Sequence, residues 1–153
     1  MVEIDILWEV EEEANIESML KRVVEACLEE EGVTNDVVLS VVVTDNEHIR
    51  ELNRVHREKD SATDVLSFPM YEPEEFAEIK HSDEPIDIGD IVISRERVEE
   101  QGEEYGHGFK REFCYLTAHG MFHLMGYDHM NDEEKAVMRE KEENALKRIA
   151  GEE

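Results

Sequence analysis

Residues 37–43 read VVLSVVV, a β-branched and almost continuously apolar run. Such a run is expected of a central strand covered on both faces of a sheet. Toward the amino terminus, residues 15–28 place Ile16, Met19, Leu20, Val23, Val24, Cys27 and Leu28 at intervals of three and four, one stripe of a helix that Gly32 stops. Before it, residues 2–8 (VEIDILW) alternate apolar and acidic, as a half-buried strand does. Downstream, Thr44 with Glu47 three residues on has the spacing of a capping box, and the helix it opens runs to about Arg57. A loop, Lys59 to Ala62, leads into TDVLSFP, a short strand that Pro69 confines to an edge or an end. A long acidic loop, roughly Tyr71 to Pro85, separates it from another strand-like segment, IDIGDIVIS, after which Ser94 caps a helix starting at Arg95. Two more helices are expected, Lys110 to Met125 and from about Asp132 with Asn131 as cap. The pattern predicts an α+β fold: one mixed sheet of about four strands with packed helices, in a single domain over residues 1–153.

Forty-one acidic residues against sixteen basic ones give a formal net charge of -25, which repels polyanions at long range. The first ten residues hold neither a basic start nor an apolar leader, and no apolar run approaches the ~18 residues of a membrane span, so a cytoplasmic protein with no membrane partner is expected. Cys27 and Cys114 fall in amphipathic segments without CxxC spacing and are read as reduced core thiols.

The chemistry concentrates in LTAHGMFHLMGYDH, residues 116–129. His119 and His123 lie four apart on a predicted helix, which puts both imidazoles on one face. Gly126 lacks a Cβ and can adopt the left-handed conformation that ends a helix, turning the chain so that His129 approaches the same ion. Three neutral imidazoles suit one zinc ion per chain and leave a fourth position for water, although nickel, cobalt or copper would also be accepted. In HExxH peptidases a glutamate follows the first ligand; here that position is Gly120. Asp128 either orients a ligand or caps the turn. His48, His56, His81 and His107 have no comparable arrangement and are read as surface or loop residues.

HGMFHLMGYDH resembles the signature of the YbeY family, metal-dependent endoribonucleases of bacterial ribosomal RNA maturation. LNRVHREKDSATDVLSFP resembles the family's arginine-containing helix, loop and strand, and IDIGDIVIS its following strand, all in the family's order. The resemblance implies a zincin-like α+β fold, a zinc site of His119, His123 and His129, and cleavage of single-stranded RNA. It also implies a part in ribosomal RNA maturation, including the 16S rRNA 3′ end, and in ribosome quality control, with ribosomal proteins as partners and no DNA substrate. By position, Arg57 matches the arginine that faces the metal. His56 and Ala62 depart from the family's usual aromatic residue and proline beside the groove.

Arg50, Arg54 and Arg57 also fall on one helical face, a basic stripe suited to phosphate unless Glu51 and Glu58 neutralise it. The expected catalytic residues are therefore Arg57 and His119, with water or the RNA 2′-hydroxyl as nucleophile. Two other functions stay open: a zinc metallopeptidase-like hydrolase, which Gly120 disfavours, and a non-enzymatic ribosome-assembly factor with a structural zinc.

Overall fold

A computed structural model describes residues 1–58, 62–80, 82–128 and 130–150. The elements are β1 (Val2–Trp8), α1 (Ile16–Glu31), β2 (Val37–Thr44), α2 (Asn46–Arg57), β3 (Val65–Pro69), α3 (Pro73–Ile79), β4 (Ile86–Ser94), α4 (Arg95–Glu104), α5 (Gly108–Leu124) and α6 (Asp132–Ala150). The strands form one sheet in the order β1-β2-β4-β3. β1, β2 and β4 run parallel, and β3 is antiparallel to β4 at the edge. The α+β class, the mixed four-stranded sheet and the edge position of the proline-ended strand agree with the sequence reading.

One face of the sheet carries most of the core. Leu39, Val41 and Val43 of β2 and Ile86, Ile88, Ile91 and Ile93 of β4 pack there against Leu20, Val24, Phe113 and Phe122 of α1 and α5. α5 lies against β3, β4 and α1, and α6 packs on α1 and α5. The opposite face carries a small cluster of Ile49, Leu66 and Val92 under α2. Accordingly β2 buries Val37, Leu39, Val41 and Val43 while Val38, Ser40 and Val42 are only half-buried. β2 is central and covered on both faces as expected, but unequally: α2 is one short helix and shields less of the sheet.

β4 keeps its isoleucines on one face by means of a bulge. Val38 pairs with Asp87 but Leu39 with Gly89, so Ile88 is the extra residue, and it shifts the alternation so that Ile86 and Ile88 share a side with Ile91 and Ile93. Gly89 makes this possible: its φ is 121°, and a Cβ there would lie 2.2 Å from the Phe68 carbonyl oxygen.

Two local expectations are corrected. Asp45, not Thr44, caps α2: its side chain accepts from the His48 backbone N–H at 2.8 Å, while Thr44 ends β2 and its hydroxyl meets His48 Nδ1 at 3.0 Å. The acidic segment after Tyr71 contains a helix, α3, opened by Pro73 and by Glu75 reaching back to the Glu72 N–H at 3.1 Å, with Phe76 buried beneath it. Ser94 and Asn131 cap α4 and α6 as expected, accepting from Arg97 N–H at 3.3 Å and Glu134 N–H at 2.8 Å. Cys27 and Cys114 are buried and free of disulfides. Burial above all pushes the Cys27 thiol up.

Candidate active site

α5 is apolar nearly all round because β4, α1 and α6 cover it; Phe113, Leu116, Ala118, Met121 and Phe122 are all buried. One row at intervals of four, Arg111, Tyr115, His119 and His123, breaks that cover and reaches the surface. The last two rings stand 4.8 Å apart between centroids at 82°. The two rings meet edge to face rather than stacked.

His119 is held from behind. Its Nδ1 lies 2.7 Å from Oε2 of Glu142 on α6, whose side chain is 2% exposed. A carboxylate on Nδ1 favours the proton there and leaves Nε2 as the lone-pair nitrogen. Sequence spacing did not reveal this contact, since the partners are 23 residues apart on different helices. One signal was present: Met138, Ala145 and Ile149 form the buried stripe of α6, and Glu142 sits in it as a charged residue at a core position.

The residue after His119 faces the sheet. A Cβ on Gly120 would lie 3.0 Å from Cγ2 of Ile91, so a larger side chain requires the Ile91 side chain to give way. A peptidase-type glutamate here would be buried against isoleucine instead of reaching a groove.

After Leu124 the helix ends in a Schellman turn. Tyr127 N–H donates to Phe122 O at 2.9 Å and Gly126 N–H to His123 O at 3.1 Å, with the Phe122 and Tyr127 rings 5.8 Å apart across the turn. Gly126 has φ 102°, and a Cβ on it would lie 3.2 Å from Pro73, so α3 closes over the turn. The Tyr127 hydroxyl donates to Glu31 at 2.7 Å, a carboxylate that Lys80 and Lys141 also approach at 3.3 and 3.4 Å. Burial first, then the bond to Glu31, pushes the Tyr127 phenol up. His129, the third expected ligand, lies outside the described residues, as do Lys59 and His81. Among the described residues no group of three His, Cys, Asp or Glu side chains converges.

A groove of about 260 Å³ opens beside the imidazole pair, lined among others by Arg57, Ser67, Tyr71, His123, Tyr127 and Asp128. Arg57 Nη2 donates to the Ser67 carbonyl at 3.3 Å, and the Ser67 hydroxyl donates to the Gly120 carbonyl at 3.2 Å, linking α2, β3 and α5. Arg54 pairs with Glu51, which removes it from the expected basic stripe. Arg57 has no carboxylate partner among the described residues and stands in the groove with His123. Of the other histidines, His48 meets Glu9 at 2.7 Å, His107 meets buried Glu112 at 2.6 Å, and exposed His56 packs edge-on to Phe68 at 5.2 Å.

Residues 5–150 match the family model described as Endoribonuclease YbeY. The chain belongs to the YbeY endoribonuclease family. A relative named Endoribonuclease YbeY from Caldanaerobacter subterraneus subsp. tengcongensis is 51% identical over 140 residues, 89% of each chain. One of the same name from Clostridium acetobutylicum is 48% identical over 144 residues, covering 86% of this chain and 87% of the relative. Among solved structures, the solution structure of TM1509 from Thermotoga maritima matches with a TM-score of 0.64 and 29% identity, over 99% of this chain and 91% of that one. The family therefore agrees with the resemblance carried by HGMFHLMGYDH. No helix among the described residues is long and apolar enough to cross a membrane.

Proposed function

We propose that this chain, as one domain, is a metal-dependent endoribonuclease that cleaves single-stranded RNA during ribosomal RNA maturation, including the 16S rRNA 3′ end. The observation that carries the reading is the sharing of one groove by Arg57 and His123, with His119 4.8 Å from His123. The donor chemistry fits a transition metal: two edge-on imidazoles, one backed by a buried carboxylate. His119 and His123 would hold the ion, zinc in this reading, and His129 would complete the set. When bound, it supplies Lewis acidity toward a phosphoryl oxygen or an attacking water.

The chain's own residues do the rest. Arg57 binds the scissile phosphate and stabilises charge that develops on it, and the Ser67 carbonyl orients the guanidinium. The groove, lined by Tyr71 and Tyr127, admits an unpaired strand whose bases can stack on rings. DNA lacks the 2′-hydroxyl that distinguishes RNA at such a site.

Net charge favours a specific setting for this reaction. At -25 the protein repels free RNA at long range but attracts basic proteins, which supports action in the cytoplasm on ribosome-bound RNA beside ribosomal proteins, and a role in ribosome quality control. A peptidase reading is opposed by the position of Gly120 against Ile91. The test is cleavage of matched single- and double-stranded RNA by zinc-loaded protein, with His119→Ala and Arg57→Ala as controls. Selective cleavage of the single strand, lost in both variants, is expected; peptide cleavage without RNA cleavage would overturn the reading.

A further inference from the structure

We infer that Glu142 is the positioning carboxylate of the centre, holding His119 in the Nδ1-protonated tautomer so that the ring presents Nε2 as its donor atom. The inference rests on the metal reading of the histidines and adds a residue that no sequence motif marks. Glu142 is 2% exposed, and its Oε2 lies 2.7 Å from His119 Nδ1. Taking a carboxylate out of water is costly unless opposite charge or good hydrogen bonds offset it.

Besides His119, Glu142 has the Tyr115 phenol as a hydrogen-bond partner, which brings no opposite charge. Among the described residues its one ion-pair partner is His119. Cys27 and Tyr115 both sense its charge and both stay protonated; the phenol is pushed up to about 12, by burial first and by Glu142 next. A carboxylate kept at a core position of α6, with a neutral phenol as its other hydrogen-bond partner, is accounted for if the imidazole it contacts carries positive charge through a bound ion. Carboxylate behind imidazole also raises ligand basicity and fixes ring orientation.

The same fold contains an internal comparison. Glu112 is likewise 2% exposed and contacts an imidazole, His107, at 2.6 Å. His107 stands at the start of α5, far along the row from His119, so that pair ties the helix start and has no place in the groove. If buried Glu–His contacts in this protein were only structural ties, removing either charge would have the same kind of effect.

The experiment compares Glu142→Gln with Glu112→Gln and wild type. Zinc affinity is measured by chelator competition, apo-protein stability by thermal melting, and the His119 tautomer by nitrogen NMR of the imidazole. For Glu142→Gln, affinity about 10–100-fold weaker is expected, with an apo melting temperature equal to wild type or higher and the Nδ1-protonated form of His119 depleted. Glu112→Gln should keep wild-type zinc affinity. Unchanged affinity in folded Glu142→Gln would overturn the inference and leave the metal reading standing, whereas wild type that binds no zinc would overturn the metal reading first. Wild-type apo protein with the His119 proton on Nε2 would also overturn it, and that measurement needs no variant to fold.

Discussion

The Arg57 guanidinium donates to the backbone carbonyl of Ser67 at 3.3 Å, so a side chain from the last turn of α2 is anchored to the edge strand that lines the groove. Ser67 in turn donates to Gly120, next to His119, at 3.2 Å. Ser67 therefore links the Arg57 side chain to the helix that carries His119 and His123, its carbonyl accepting from the one and its hydroxyl donating to the other.

Arg57→Ala should fold and take up zinc as wild type does, yet cleave RNA about 10²–10³-fold more slowly, the usual effect of losing one preorganised charge contact to a transition state. Arg57→Lys should recover only part of the rate, because the ammonium keeps the charge without the planar fork. Single-turnover cleavage checks both. Wild-type rates in Arg57→Ala would remove it from the chemistry.

RNA binding should weaken only modestly with salt. Arg54 is engaged by Glu51, so few cations on α2 remain for phosphates, and the salt slope follows the number of phosphates neutralised. Titrations between 50 and 200 mM salt (about the range over which multi-phosphate binders lose ~10³-fold or more) measure the slope. A steep one would mean a larger basic surface than α2 offers.

Gly120→Glu would recreate the HExxH spacing of zinc peptidases. It should not create a peptidase. The new side chain starts 3.0 Å from Ile91 in a fully covered position, so overpacking and an unpaired buried carboxylate should destabilise the fold by about 3 kcal/mol or more. Thermal melts and a peptide-cleavage assay decide; a stable, peptide-cleaving variant would show that the residue faces the groove.

His123→Ala should lose its zinc, since two remaining imidazoles make an incomplete shell. Elemental analysis of the purified variant reads this directly, and a full equivalent of metal would take His123 out of the site. Gly126→Ala tests the turn that leads to His129: the φ of 102° and the approach to Pro73 predict a loss of stability of about 1–3 kcal/mol together with weaker zinc retention.

The parts of this fold that could be read from the chain are those whose physics is local. VVLSVVV is a strand because β-branched side chains suit a pleated surface, and α1 is a helix because its apolar residues recur every three or four. α3 escaped because seven residues around a single buried Phe76 cannot show a period; only Pro73 and the Glu72–Glu75 pair announced it. The α2 cap was misplaced by one residue because Thr44 and Asp45 both carry a suitable oxygen, and the pairing of β2 with β4 claimed Thr44 for the sheet. In the site, His119 and His123 were legible from helical spacing, whereas Glu142, Ser67 and Glu31 reach it from other elements. No spacing rule records contacts of that kind.

Stability should decline at alkaline pH along two limbs whose order follows from the buried acids. The Cys27 thiol, ordinarily near 9.0, is pushed up by burial and then by the charges of Glu142 and Glu30. Tyr115, ordinarily at 10.0, is pushed up to about 12, again by burial first. In both cases the folded chain retains a proton that the unfolded chain has already released, so the unfolded state gains stability as pH rises and the folded state does not. Stability should be level below pH 9 on this account, decline first as the unfolded thiol ionises, and decline more steeply from about 10 toward 12 as unfolded tyrosine joins it. Cys27→Ala should lose some stability at neutral pH through the small cavity it leaves, but the first decline should vanish and the onset should move to about pH 10. Tyr115→Phe should instead leave the first decline and soften the second. Denaturant titrations at intervals of half a pH unit or so separate the limbs. An onset unmoved in Cys27→Ala would mean that its thiol ionises as readily in the folded chain as in the unfolded one, in conflict with its complete burial between α1 and α6.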